Sequence, residues 1–116
     1  MINIKDEFLK RTIDWQKKLN EDEWFFSRLY ENLTNDLTPE ECFSLIPQAV
    51  DLTLEQTDEF LCGECFEYVL GLGVDSNTTE LNPYLDKNWD TLNEHVSSFG
   101  DYHKHRVAEL KRYYRR

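Results

Sequence analysis

The chain has 116 residues and a formal charge of −10, a field that repels nucleic acid and anionic membrane. Sixteen Trp, Tyr and Phe residues exclude a disordered acidic tail, because each ring buries a large area. The charge is segregated. The 58 residues from Leu29 to Asp86 hold thirteen Asp and Glu and no Lys, Arg or His, whereas the N-terminal flank sums to 0 and the C-terminal flank to +3.

This length and composition read as a single helical domain spanning 1–116. No apolar leader interrupts the charged first residues, and no stretch of about 18 apolar residues is present. A cytoplasmic location is therefore expected, with three reduced cysteines.

Helical spacing begins at once. Ile4, Phe8, Thr12, Trp15 and Leu19 share a face, widened by Leu9 and Ile13, and predict one helix from Ile4 to Leu19. Asn20 with Glu23 reads as a capping box opening a second helix, with Phe25, Leu29 and Leu33 inward. Thr38-Pro39-Glu40-Glu41 is the strongest helix start: a cap, a proline at the first position and two acids at the positive dipole end. Pro47 is expected to kink or end that third helix.

A fourth helix, near Gln56 to Leu70, is apolar around most of its circumference, with Glu59, Gly63 and Glu67 as a narrow polar strip. Gly71 and Gly73 are expected to stop it. A loop from Val74 to Leu81 follows. Asn82-Pro83 opens a fifth helix with Leu85, Trp89, Leu92, Val96 and Phe99 in one stripe, and Gly100 closes it. A sixth runs from Asp101 with His103, Val107, Leu110 and Tyr114 inward. Together these predict an all-α bundle of about five to six helices arranged as antiparallel αα-hairpins.

Motifs for chemistry are sparse. Cys62-Gly-Glu-Cys65 is a CxxC, which can serve redox chemistry or half a zinc site. Here it lies inside a helix, on its apolar side and among glutamates, so two core thiols are the better reading. His103 reads as a core histidine; His95 and His105 read as exposed. Asp75 to Asp86 partly mimics a calcium loop, but Glu80 replaces its turning glycine and Pro83 intrudes. No phosphate loop, nucleophile frame or metalloprotease motif is present. No cofactor and no metal are expected, and the chain reads as a non-enzyme.

The sequence Thr78-Thr79-Glu80 leading through Pro83 to Trp89, with Gly100-Asp101-Tyr102 and the closing Glu109-Leu110 and Tyr113-Tyr114-Arg115, resembles the small acidic immunity proteins of bacterial polymorphic and contact-dependent toxin systems. The resemblance implies a non-enzymatic inhibitor that binds one toxin tightly. It assigns no residue a role.

The residue pattern points the same way. A block without counter-ions suits a basic protein partner, such as a nuclease toxin whose cleft is built for nucleic acid. The carboxylates chosen for that contact are Glu55, Asp58, Glu59 and Glu67 around the fourth helix, with Asp75 and Glu80 in the loop. Trp24 and Tyr30 fall off the apolar face of their helix and are candidate anchors. An acidic DNA mimic, an adaptor helical domain and a thiol or metal protein using the CxxC are the alternatives.

Overall fold

The computed structural model describes residues 2–116. Among them are eight helices and no strand: α1 (Ile4–Arg11), α2 (Trp15–Glu21), α3 (Phe25–Thr34), α4 (Pro39–Leu54), α5 (Glu59–Asp75), α6 (Pro83–Lys87), α7 (Trp89–Ser97) and α8 (Asp101–Tyr114). The all-α expectation holds; the helices are more numerous than periodicity implied, because the predicted first and fifth helices are each divided. The body measures 38 × 33 × 19 Å, two helices thick. α4 touches α1, α5, α6 and α7, and its Leu45, Ile46, Ala49, Val50 and Leu52 are fully buried.

The predicted first helix is two. Asp14 adopts a left-handed backbone (φ 59°) between α1 and α2. Ile4 and Phe8 stay on the core, but the break turns Trp15 away from their line and stacks it on Phe60, 5.0 Å between centroids. Leu9 and Ile13, expected to widen the buried face, are exposed instead. The capping box at Asn20 does not form, because α2 continues through Asn20. The Asp22 carboxylate accepts the Trp24 N–H at 3.0 Å, a local turn that delays α3 to Phe25. Phe26 then takes the buried position and Phe25 is half-buried.

Thr38 caps α4 as read, with the reciprocal Glu41 bond. Pro47 does not end the helix; α4 runs on to Leu54. Proline has no N–H, so the carbonyl four residues earlier, on Phe43, loses its helical donor. The Asn82 side-chain amide fills that vacancy, donating to Phe43 O at 2.9 Å. The Asn82 oxygen accepts the Tyr84 N–H at 2.9 Å and caps α6. One buried amide thus repairs one helix and starts another.

α5 also outruns its expected stop. Gly71 and Gly73 sit within it, and their role is close approach. A Cβ on Gly71 would lie 2.6 Å from Tyr30 Cζ, and one on Gly73 would lie 2.7 Å from the Tyr114 hydroxyl. α4 and α5 pack as an αα-hairpin. The predicted fifth helix is divided at Asn88 into α6 and α7, yet its stripe survives: Leu85, Trp89, Leu92 and Val96 are buried. His95 is not free in solvent as expected; its Nε2 donates to the Gln56 carbonyl at 2.9 Å. α8 buries the four residues its spacing selected.

Candidate functional site

α5 lies between α3 and α8, and all three run in the same direction. Phe26 meets Phe60 and Tyr30 meets Tyr68, at centroid distances of 5.4 and 5.0 Å, so α3 and α5 advance together. His103 Nε2 donates to Glu59 O at 2.9 Å, Arg106 grips Glu67, and the Tyr113 hydroxyl donates to Gly73 O at 3.0 Å, so α8 advances with them. The exposed strip of α5 becomes the floor of a groove walled by α3 and α8.

The groove is continuous. At the first turns of α5 and α8 it opens into a cavity of about 530 Å³ lined by Asp58, Glu59, Phe60, Gly63, Glu64, Tyr102 and His103. Glu64 and Tyr102 also border the next basin, which reaches Tyr30, Glu31 and Glu67. A further basin carries the groove past Gly71 to Asp75. Gly63 and Gly71 keep the floor low, since they carry no side chain.

The acids chosen from sequence divide into two groups. Asp58, Glu59, Glu67 and Asp75 line the groove, with Tyr30 on its wall. Glu55, Glu80 and Trp24 lie outside it. Glu55 ends α4 and pairs with Lys5 of α1; Glu80 sits on the exposed loop beyond α5; Trp24 is 59% exposed ahead of α3. Asp75 is the last residue of α5 rather than part of the loop.

Several groove members have internal partners. Asp58 caps α5 through the Leu61 N–H at 2.9 Å. Glu67 holds the Arg106 guanidinium two-pronged, at 2.7 to 3.0 Å. Asp75 accepts the Tyr30 hydroxyl at 2.7 Å. Burial and then that acidic neighbour push the Tyr30 hydroxyl pKa well above its ordinary range. Tyr30 forms part of the groove wall.

Glu64 differs. It is half-buried and makes no hydrogen bond or ion pair among the described residues. Burial, assisted by Glu67, pushes its carboxyl up to about 7. Sequence reasoning missed Glu64 as a site residue, along with Glu31, Phe60 and Tyr102. The available signal was aromatic: Phe60 and Tyr102 belong to neither apolar line of their helices, and they are 39% and 63% exposed.

The three cysteines are free, buried thiols. Burial pushes Cys62 up to about 11 and Cys65 higher still, against the thiolate that redox or metal chemistry requires. No cluster of three or more His, Cys, Asp or Glu among the described residues is placed to hold a metal. No helix among them is long and apolar enough to cross a membrane.

No protein-family model, curated protein or solved structure matches this chain. The groove must therefore be read from its own chemistry. Its chemistry is a row of carboxylates, half-open to water and flanked by the exposed Phe60 and Tyr102 rings. It presents no paired nucleophile and base.

Proposed function

We propose that this chain is a non-enzymatic, protein-binding inhibitor of the immunity type, which neutralises a basic partner such as a nuclease toxin. The observation that carries the reading is the alignment of Asp58, Glu59, Glu64, Glu67 and Asp75 along one groove, offset by a single cation, Arg106. Carboxylates in a concave strip focus the field and speed encounter with a positive cleft. Phe60 and Tyr102 at the first turns of α5 and α8 supply apolar area of the kind that dominates binding energy. An inhibitor of this type needs no catalytic group; it occupies the cleft and excludes substrate.

Co-expression with the protein encoded beside this chain tests the proposal. That protein should be toxic alone, tolerated with the chain, and recovered in a complex whose association rate falls about tenfold or more between low and high salt. A harmless neighbour, or a complex indifferent to salt, would overturn the reading.

A further inference from the structure

The end of the groove at the first turns of α5 and α8 has a more specific chemistry than its acidity. Phe60 from the first turn of α5 and Tyr102 from the first turn of α8 line one cavity of about 530 Å³, within the range of small-ligand clefts. Glu59 and Glu64 line the same cavity, and neither has a side-chain hydrogen bond or ion pair among the described residues. An apolar occupant would strip water from those carboxylates and offer nothing in return. An anion would be repelled. The α5 and α8 N-termini contribute about +0.5 charge each, but Asp58 caps one of them, and the carboxylates outweigh the remainder.

The protein displays the matching chemistry one turn further on. Arg106 lays its guanidinium across Glu67 with two-pronged geometry. Because α5 and α8 run in the same direction, stepping back one turn on each leads to Glu64 and Tyr102. There α8 supplies a ring where the next turn supplies a cation, and the Glu64 position stands open.

We propose that this cavity receives an arginine side chain of the bound partner, its guanidinium paired with Glu64 and Glu59 and packed against the Phe60 and Tyr102 rings. The assignment rests on the inhibitor reading and sharpens it to one contact. Guanidinium is favoured over ammonium because it is planar, stacks on rings and pairs two-pronged with a carboxylate. Glu64 must ionise to make the pair, so binding strengthens with pH through about 7.

The test is titration of the full chain with N-acetyl-arginine amide, followed by amide-resolved NMR, with the citrulline analogue as the uncharged isostere. Arginine should shift the Phe60, Glu64 and Tyr102 signals saturably, and citrulline should not. Affinity should rise about tenfold from pH 6 to pH 8. Tyr102→Ala should weaken it about fivefold, Glu64→Gln should weaken it about tenfold or more at pH 8 and abolish the rise with pH, and Glu94→Gln on the exposed side of α7 should leave it unchanged. Equal shifts with citrulline, or none with millimolar arginine, would overturn the assignment while leaving the groove free to bind through its other acids. Arginine binding in a chain that forms no partner complex would uphold the pocket and remove the inhibitor reading instead.

Discussion

Replacing Glu64 with glutamine should make the protein more stable at alkaline pH and leave it nearly unchanged in mild acid. The substitution keeps the side chain's size and deletes its charge. In the folded chain the carboxyl is lifted from an ordinary 4.5 to about 7, chiefly by burial between α3, α5 and α8. The native state therefore holds a proton that the unfolded state has already released, and stability falls as pH rises between those two values. At 1.36 kcal/mol per pH unit the full cost would be about 3.4 kcal/mol. Glu64 is only half-buried, and water screening reduces this to about 1–2 kcal/mol. Urea denaturation at two pH values reads the effect directly. Glu64→Gln should gain about 1–2 kcal/mol at pH 8 and less than about 0.5 kcal/mol at pH 5. An equal gain at both, or none at pH 8, would refute the claim that an uncompensated carboxyl is held in the groove.

Gly71→Ala should cost about 1–3 kcal/mol in thermal or urea melts, because the new methyl collides with the Tyr30 ring and breaks its bond to Asp75. Asn82→Ala should cost about 2–3 kcal/mol, since it orphans the Phe43 carbonyl and uncaps α6 together. In the Asn82→Ala background, Pro47→Ala should recover about 1 kcal/mol by restoring the helical N–H, and a strictly additive double-mutant cycle would contradict the repair. A thiol reagent at pH 8 should leave the native protein unmodified and label Cys42, Cys62 and Cys65 in urea. Rapid native labelling would show a thiol more exposed and acidic than burial allows.

Helix type was legible wherever spacing met burial directly. The α8 line of His103, Val107, Leu110 and Tyr114 is buried as spaced, and so is the Leu85 to Val96 stripe, although Asn88 divides its helix. Boundaries were lost where a distant side chain intervened. Pro47 was read as a kink or an end because the Asn82 amide that rescues Phe43 lies 39 residues away along the chain. Gly71 and Gly73 were read as stops because nothing local indicates the Tyr30 and Tyr114 rings that need their space. The site followed the same logic. The α5 strip placed Glu59 and Glu67 together, but only packing shows that Arg106 already occupies Glu67, that Lys5 draws Glu55 away, and that Glu64 remains unpaired.

The Asn82 amide carries one more consequence, for chemical ageing. Asparagine loses its amide mainly when the next residue's backbone nitrogen attacks the side chain to form a ring. At Asn82 that residue is Pro83, whose nitrogen has no hydrogen to give up. The proline that opens α6 therefore blocks the reaction that would convert Asn82 to aspartate and put a carboxylate against the Phe43 carbonyl. The joint between α4 and α6 is built from an amide that its own neighbour protects, so this junction should keep its chemistry in long-stored protein while exposed asparagines such as Asn77 deamidate first.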